Sequence, residues 1–329
     1  MSRSVSQCLT QVLHAYGCKT VFGVPGAYSI DLNDKLEQNG IDYMLASHEG
    51  GAAFMSQAYA QVAATAMKQN NWGAIGCLIS TAGPGALNAI TGLVSAKADG
   101  DTVLIIHGAV PKAQLGRGAL QDLCDLLGAP HFVMGRVTRQ SVSVDYPEEF
   151  AKSLEVVQRE LNLPAGQEGP VHFSVKMNVF PCATDAVVSQ PMREEADDPL
   201  LEQYVKKAAA LLRNAQRPVV LVGHGAYRGD RAVLQSFLER LKLSTMTTAR
   251  GVAVIPASSP VLVGQHSIFS SPRALHLLEQ KPDLLLALGT SLGEFASNSW
   301  SSLLSDISNL IHVNTNSVCF GRLKQGPVS

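Results

Sequence analysis

The stretch Ser47-His-Glu-Gly-Gly51 places one carboxylate, Glu49, between a predicted strand and a predicted helix. The glycine turn Gly23-Val-Pro-Gly26 precedes it, and Ser80-Thr-Ala-Gly-Pro-Gly-Ala-Leu-Asn88 follows it. All three segments lie at the edges of predicted strands. Pro-Gly is a common type II turn signal, and proline suits the first position of a helix. Each segment alone is an ordinary turn or helix start, so their order in one chain is the informative feature.

Glu49 by itself has two interpretations. A glutamate in the first turn of a helix is stabilised by the helix dipole, and Ser47 could cap that helix. Alternatively, Gly50 and Gly51 allow a flat ring to approach the backbone beside the carboxylate. Taken alone, Glu49 is better explained as an ordinary glutamate at a helix start. The neighbouring motifs reverse this preference and favour a carboxylate beside a bound ring.

Short apolar runs alternate with helical patterns through the first half of the chain. Several runs are apolar on both faces, as in a parallel sheet covered by helices on both sides. This alternation predicts an α/β doubly wound domain. The predicted strands are Thr20–Val24, Tyr43–Ser47, Ala74–Ser80, Thr102–Ala109 and Val171–Val175, and the predicted helices are Val5–Tyr16, Ala52–Ala66 and Ala86–Ala98.

A polar segment that contains three prolines interrupts this pattern after Phe180. Its composition predicts a linker over residues 181–198. The alternation then resumes in a second, smaller α/β unit. We therefore predict two doubly wound parallel-sheet domains, residues 1–180 and 199–329. The elements predicted in the second domain are helices 200–214, 231–241 and 272–279 and strands 218–222, 244–248, 283–288 and 309–313.

The composition is that of a globular protein without nucleic-acid or membrane partners. Of the 329 residues, 46% are apolar and 16% are charged, which suffices for two cores. The net charge is −1, from 26 basic and 27 acidic residues, with no dense Lys/Arg patch to attract nucleic acid or anionic lipid. No segment has the pattern of a signal peptide or membrane span. The six scattered cysteines predict free thiols in a cytoplasmic protein.

Together these motifs resemble the pyrimidine-binding domain of thiamine diphosphate enzymes of the acetolactate synthase and pyruvate decarboxylase superfamily. The run Gly83-Pro-Gly-Ala-Leu-Asn-Ala-Ile-Thr-Gly-Leu93 is similar to the family's cofactor-side loop and helix nearly residue for residue. In that family a buried glutamate hydrogen-bonds the aminopyrimidine ring and favours the tautomer that deprotonates the thiazolium C2. The resemblance gives Glu49 this role. It also implies that the cofactor is contacted by Pro25, Gly26, Glu49, Thr81, Gly83, Pro84, Gly85 and Asn88.

The same resemblance implies roles for two further residues. Acetolactate-synthase-like enzymes carry a glutamine that points toward the thiazolium, and Gln121 in Gly116-Arg-Gly-Ala-Leu-Gln-Asp122 occupies that position. A neutral amide can donate or accept a hydrogen bond without titrating. The alternative that Gln121 is only a surface glutamine near the start of a helix stays open. The paired histidines of pyruvate decarboxylases are missing here, which favours carboligation over simple aldehyde release. Arg139 falls where acetolactate synthases have a lysine and is a candidate for the substrate carboxylate.

The second unit resembles the superfamily's middle domain. Its segment Val222-Gly-His-Gly-Ala-Tyr-Arg-Gly229 is similar to a dinucleotide-binding loop, but the third glycine comes one position late. Members that hold FAD usually have Gly-x-Arg where this chain has Leu288-Gly-Thr-Ser-Leu-Gly-Glu294, so FAD is not expected. Four histidines show no metal-ligand spacing and are predicted to be structural or loop residues: His48, His107, His224 and His266.

Relatives in this superfamily continue into a domain where Gly-Asp-Gly and a later Asn bind Mg²⁺ and the diphosphate, and this sequence contains no such pair. We therefore predict one subunit of a heteromeric enzyme, a heterotetramer or larger. A separate chain would supply the diphosphate-binding domain and its Mg²⁺, and this chain would hold no metal. The assembly would decarboxylate a 2-oxo acid and transfer the acyl carbanion to a carbonyl acceptor.

Several alternatives to this prediction stay open. The chain could be a non-catalytic scaffold or regulatory paralogue, although a scaffold does not need the carboxylate of Glu49. It could be a simple 2-oxo acid decarboxylase subunit, or a nucleotide-binding protein that uses Gly223-His-Gly225. A fragment of a longer enzyme would carry the same motifs.

Overall fold

The alternating apolar runs and helical patterns fold into two parallel sheets, each covered by helices on both faces. The structure is a computed structural model that describes residues 3–66, 75–123, 130–164, 166–191 and 199–323. The chain divides into two units, Met1–Glu195 and Ala196–Ser329. The predicted α/β class with two doubly wound sheets is confirmed.

The first unit is built on a six-stranded parallel sheet in the order β3-β2-β4-β5-β7-β6. Because all six strands run the same way, their carboxyl ends lie at one edge of the sheet. The described elements are β1 (Arg3–Ser4), α1 (Val5–Ala15), β2 (Thr20–Gly23), α2 (Ile30–Gln38), β3 (Asp42–Leu45), α3 (Glu49–Ala66), β4 (Gly76–Ser80), α4 (Pro84–Asn88), α5 (Ile90–Asp99), β5 (Val103–Ala109), α6 (Pro130–Val137), β6 (Gln140–Val144), α7 (Phe150–Leu161), β7 (Val171–Lys176) and β8 (Ala183–Thr184).

Apolar side chains bury both faces of this sheet. One cluster joins Leu9 of α1 and Leu154 of α7 to Ile106 of β5. The other joins Leu93 of α5 to Ile105, the preceding residue of the same strand. Successive residues of a strand point to opposite faces, so β5 is buried on both sides.

The predicted linker, residues 181–198, is wrong over its first part. Strand β8 pairs antiparallel with β1, with Arg3 opposite Thr184. Ala186 lies in the first core, and the Ser189 amide donates to Gln158 Oε1 at 2.7 Å. The first unit therefore continues through this polar stretch, which is held by the strand pairing, the buried Ala186 and the Ser189 hydrogen bond. Residues 192–198 of the predicted linker lie outside the described residues.

The second unit is built on a five-stranded parallel sheet in the order β11-β10-β9-β12-β13. Asp230 and Ser271 each precede a helix and accept hydrogen bonds from its first-turn amides, as N-cap residues do. The described elements are α8 (Leu201–Asn214), β9 (Pro218–Val222), α9 (Arg231–Arg240), β10 (Ser244–Thr247), β11 (Leu262–Gln265), α10 (Pro272–Glu279), β12 (Leu284–Leu288), α11 (Ser302–Ser305) and β13 (Asn309–Val313).

The glycine loop after β9 packs against backbone of its own unit. The Gly225 amide donates to the Gly289 carbonyl at 2.8 Å, and a Cβ at Gly223 would lie 2.5 Å from the same oxygen. Residues His224–Arg228 form a separate 3-10 turn, and α9 begins only after Asp230. Close packing of two turns therefore accounts for these glycines.

Strands β6 and β11 and helices α2 and α7 were not among the predicted elements. Within the described part of the chain, no helix combines the length and apolar character that crossing a membrane requires. The described cysteines are free thiols, namely Cys8, Cys18, Cys77, Cys182 and Cys319. Cys124 lies outside the described residues.

Candidate functional site

Loops that follow β2, β4 and β5 meet around the buried side chain of Thr81. A Cβ at Gly26 would lie 2.4 Å from the Thr81 Cβ, and one at Gly85 would lie 2.9 Å from its Cγ2. The Thr81 hydroxyl donates to Gln121 Oε1 at 3.2 Å. Four of the residues predicted for the site are therefore in one cluster at the carboxyl edge of the sheet, as ligand sites of open α/β sheets are.

Glu49 is the first residue of α3, and only 7% of it is exposed. Its Oε2 accepts a hydrogen bond of 3.0 Å from Asn88 Nδ2. The positive end of the helix dipole stabilises a carboxylate at this position. His48, rather than Ser47, satisfies the Gly50 amide, which donates to His48 Nδ1 at 3.0 Å. Glu49 is thus a buried and oriented carboxylate.

The hydroxyl of Tyr43, a residue of β3, is buried close to Gly23. Burial, and then the nearby charges of Cys77 and Glu49, raises the pKa of Tyr43 to about 12. Its Oη has no hydrogen-bond partner among the described residues, and a Cβ at Gly23 would lie 2.5 Å from it. Tyr43 is therefore a neutral donor that the described residues leave unused.

Gln121 is held in a constrained loop. Its φ is 61°, a left-handed conformation that costs a residue with a side chain about 1 kcal/mol or more. Gly83, also at φ 61°, makes room for the Gln121 carbonyl, since a Cβ there would lie 2.4 Å from that oxygen. Tyr28 donates from its hydroxyl to the Leu120 carbonyl at 2.7 Å. Thr81 occupies Oε1, and the Gln121 amide nitrogen has no hydrogen-bond partner among the described residues.

The remaining predicted residues divide into two groups. Pro25 and Pro84 are exposed beside the cluster, and Pro84 begins α4. Arg139 is not brought to the cluster, because it immediately precedes β6 and so lies at the amino edge of the sheet. Its amide donates to the Pro170 carbonyl at 2.8 Å, and its Nε lies 3.8 Å from Glu160 Oε2.

The chain matches two domains of one protein family. Residues 3–129 match the model for the N-terminal TPP binding domain of thiamine pyrophosphate enzymes, and residues 205–329 match the model for their central domain. The chain belongs to the thiamine pyrophosphate enzymes. Thiamine pyrophosphate is thiamine diphosphate, so the family predicted from Glu49 and the glycine turns is confirmed.

Similar curated proteins support this membership. The chain is 27% identical over 292 residues to the probable acetolactate synthase large subunit of Methanocaldococcus jannaschii, covering 86% of this chain and 46% of that protein. It is 26% identical over 329 residues to the acetolactate synthase isozyme 1 large subunit of Escherichia coli K12, covering 98% and 55%. It is 30% identical over 317 residues to a probable 2-ketoarginine decarboxylase of Pseudomonas aeruginosa, covering 94% and 52%. The chain thus spans about half the length of these relatives.

The carboxyl edge fits the aminopyrimidine end of this family's cofactor. Oε1 of Glu49 has no hydrogen-bond partner among the described residues, and glycine backbone lies beside it, since a Cβ at Gly85 would be 3.4 Å away. A ring N–H could therefore reach that oxygen. No three His, Cys, Asp or Glu side chains of the described segments come together as a metal ion requires.

A second group of polar side chains, beside Gln121, was not predicted. The sheet register sets His107 of β5 opposite Ser174 of β7, and Ser174 opposite Ser143 of β6. Lys176 follows two residues later on the same face of β7. The signal that could have revealed them is the alternation His-Phe-Ser-Val-Lys in residues 172–176 and Ser-Val-Ser-Val-Asp in residues 141–145.

Proposed function

We propose that this thiamine pyrophosphate enzyme decarboxylates a 2-oxo acid and transfers the acyl carbanion to a carbonyl acceptor, as an acetolactate-synthase-like carboligase. The observation that carries the proposal is the buried Glu49 carboxylate, oriented by Asn88 beside glycine backbone at the carboxyl edge of a parallel sheet. Acetolactate synthase large subunits from two organisms align over most of this chain, which supports the reaction class.

Glu49 would accept a hydrogen bond from the aminopyrimidine ring through Oε1. The Thr81 side chain and glycine backbone would line the pocket for that ring, the glycines being Gly26, Gly83 and Gly85. When bound, thiamine diphosphate supplies the acidic C2 position and the electron sink that decarboxylation requires. The burial of Glu49 strengthens this role, because a carboxylate from which water is excluded makes a stronger hydrogen bond to a ring N–H than a solvated carboxylate does.

Gln121 would line the reacting face. Thr81 fixes its amide with Oε1 occupied, so the two N–H groups of Nε2 point away from Thr81 and can donate to an oxygen that gains negative charge. A neutral amide keeps this capacity over the whole physiological pH range. The strained φ of Gln121 is typical of a functional residue.

The diphosphate and its Mg²⁺ would be held by a diphosphate-binding domain on a partner subunit, in a heterotetramer or larger assembly. Two observations support the proposal: the matched family models are the N-terminal TPP binding domain and the central domain, and no three His, Cys, Asp or Glu side chains of the described residues come together as a metal ion requires. FAD is not part of the proposal, because the glycines of the loop after β9 pack on Gly289. A cytoplasmic location stays a prediction.

The test is reconstitution with a candidate diphosphate-domain partner. Thiamine- and Mg²⁺-dependent release of CO₂ is measured together with the carboligation product. Glu49→Gln keeps the size of the side chain and removes its charge, and we expect it to lower kcat by about 100-fold or more. Glu37→Gln, on the exposed end of α2, is the matched control and should leave the rate unchanged. Equal rates for Glu49→Gln and the unmodified chain would show that the assigned role is wrong.

One observation favours a second candidate function, simple decarboxylation. The relative with 30% identity is a probable 2-ketoarginine decarboxylase. The same reconstituted assay separates the two functions by product. Free aldehyde in stoichiometric amount with CO₂ would support the decarboxylase, and a product that incorporates the acceptor would support the carboligase.

A further inference from the structure

A small cavity lies directly behind Gln121, on the face of the sheet that α6 covers. Its volume is about 40 Å³, enough for a few water-sized groups. The residues that line it include Gln121, Asp122, His107, Ser143, Ser174 and Lys176. Three of these polar residues are more than nine-tenths buried, namely His107, Ser174 and Lys176. The cavity is thus a built polar site that shares one wall, Gln121, with the proposed reacting face.

Lys176 brings a positive charge to this cavity that the described residues neutralise incompletely. The residue is 8% exposed, and its Nζ lies 3.7 Å from Asp145 Oδ1, beyond hydrogen-bonding distance. Asp145 is closer to Lys112, whose Nζ lies 3.0 Å from Oδ2. Burial tends to raise the pKa of Asp145, but the Lys112 hydrogen bond and the charges of both lysines outweigh it and lower the pKa. Two ammonium groups therefore share one carboxylate.

Asp122 also lines the cavity, but its carboxylate is engaged with the loop. Its Oδ2 accepts a hydrogen bond of 2.7 Å from the Gly116 amide. Buried cations in proteins are paired with anions or bind them as ligands, because an unpaired buried charge is costly. Lys176 accordingly has the environment of an anion-binding residue.

His107 adds a neutral donor to the same cavity. Its Nε2 is buried and has no hydrogen-bond partner among the described residues. Its Nδ1 lies 3.4 Å from His172 Nε2, and His172 Nδ1 lies 2.7 Å from the Ser141 hydroxyl. Burial, followed by the charge of Lys176, lowers the pKa of His107 to about 3, so the ring is neutral. If the Ser141 hydroxyl donates to His172 Nδ1, then His172 carries its proton on Nε2 and donates to His107 Nδ1. The proton of His107 is then on Nε2, which faces the cavity.

We propose that Lys176 and His107 form a carboxylate subsite beside Gln121, which binds a substrate carboxylate that the reaction leaves intact. This inference rests on the proposed function. A fixed ammonium at the carboxylate that departs as CO₂ would stabilise the ground state and slow the reaction. The same ammonium is productive when it holds a carboxylate that persists, either that of the acceptor 2-oxo acid or a distal one on the donor.

The test measures binding to the 329-residue chain alone, by calorimetry, without thiamine or a partner. Three probes are used: pyruvate, its neutral methyl ester and 2-oxoglutarate. We expect carboxylate binding that Lys176→Met weakens about tenfold or more, as for loss of a hydrogen bond to a charged group. Lys176→Arg should restore affinity to within a few-fold. Lys152→Met removes the same charge from an exposed position near Asp145 and should have no effect.

The probes distinguish the two sources of the carboxylate. Lys176-dependent binding of pyruvate, but not of its methyl ester, would support the acceptor carboxylate. Lys176-dependent binding of 2-oxoglutarate alone would support a distal carboxylate on the donor. If neither acid binds, or if Lys176→Met binds both as the unmodified chain does, the subsite is overturned.

A second measurement guards against misfolding of the Lys176 variants. The ¹⁵N resonance of His107 Nε2 in the unmodified chain should shift when the bound acid is added, and a resonance that does not move would overturn the subsite. The outcomes also separate this inference from the proposed function. Glu49→Gln should bind the acids normally. If the unmodified chain binds the acids through Lys176 but its reconstituted assembly forms no carboligation product, only the proposed function is rejected.

Discussion

Asn88 Nδ2 donates a hydrogen bond of 3.0 Å to Oε2 of Glu49, joining the last residue of α4 to the first residue of α3. The bond fixes which carboxylate oxygen stays available. We expect Asn88→Ala to lower thiamine-dependent CO₂ release by about tenfold or more, because hydrogen bonds to charged groups contribute about 1.5–3 kcal/mol. Steady-state rates of the reconstituted enzyme check this.

The matched control for Asn88 is Asn39→Ala. Asn39 Nδ2 donates to the Lys35 carbonyl at the end of α2, in the same unit but with no contact to the cluster. It should change stability and leave the rate constant unaltered. Equal rate losses in the two variants would mean that Asn88 acts only through folding.

Gly83 and Gly118 form a matched pair of left-handed glycines, with φ of 61° and 73°. A Cβ at Gly118 would meet no described atom within 4 Å, whereas one at Gly83 would lie 2.4 Å from the Gln121 carbonyl. Gly118→Ala should therefore lower the free energy of unfolding by only about 1–2 kcal/mol, the cost of the backbone conformation. Gly83→Ala should lower it further and displace Gln121. Urea denaturation measures both, and equal losses would argue against close packing at Gly83.

Tyr43 and Tyr16 differ in how their buried hydroxyls are satisfied. Tyr43 Oη has no partner among the described residues, while Tyr16 Oη donates to the Gln158 carbonyl at 3.3 Å. Tyr43→Phe should raise the free energy of unfolding by about 1 kcal/mol, since it removes an unsatisfied polar group, and Tyr16→Phe should lower it by a similar amount. Thermal unfolding of the two variants gives the signs. A destabilised Tyr43→Phe would point to a partner that the isolated chain supplies.

The stability of the first unit should depend on pH through His107 and His172. Burial lowers the pKa of both, to about 3 for His107, whereas the unfolded histidines titrate near 6.5. Below that value the unfolded chain binds protons that the folded chain does not. The free energy of unfolding should therefore fall by about 1.4 kcal/mol per pH unit for each histidine as the pH drops from about 6.5 toward 3.

Urea denaturation at several pH values, compared between variants, tests this dependence. Replacement of both histidines by Gln should make the free energy of unfolding depend less steeply on pH below about pH 6.5, because two protons fewer are taken up on unfolding. This holds whatever the replacement does to stability at neutral pH. His14→Gln, at an exposed position on α1, should leave the slope as it is. An unchanged slope in the double variant would show that His107 and His172 are protonated in the folded chain.

The cluster around Glu49 could be predicted because its residues follow strands in chain order. Glu49, Thr81 and Gln121 come after β3, β4 and β5, and the carboxyl ends of parallel strands share one edge. The capping role of His48 could not be assigned in advance, because Ser47 beside it is the residue type that N-cap positions prefer.

The polar group behind Gln121 could not be predicted, because the order of its strands in the sheet differs from their order in the chain. Strand β7 lies between β5 and β6, so Ser174 contacts its neighbours through pairings that no local pattern encodes. Strand β6, Gln140–Val144, contains only two apolar residues and was not predicted as a strand. When β6 is not predicted, the sequence does not show that Ser143 lies opposite Ser174 of β7. The polar surroundings of Lys176 then cannot be inferred.

The short ribbon of β1 and β8 sets Arg3 opposite Thr184, so the first described strand and the last strand of the first unit lie side by side. A domain whose terminal strands are adjacent tolerates insertion into another polypeptide. It also tolerates circular permutation, because neither change needs to distort the six-stranded sheet. The cluster around Glu49 could therefore be transferred to another polypeptide as one piece, together with the first unit that holds it.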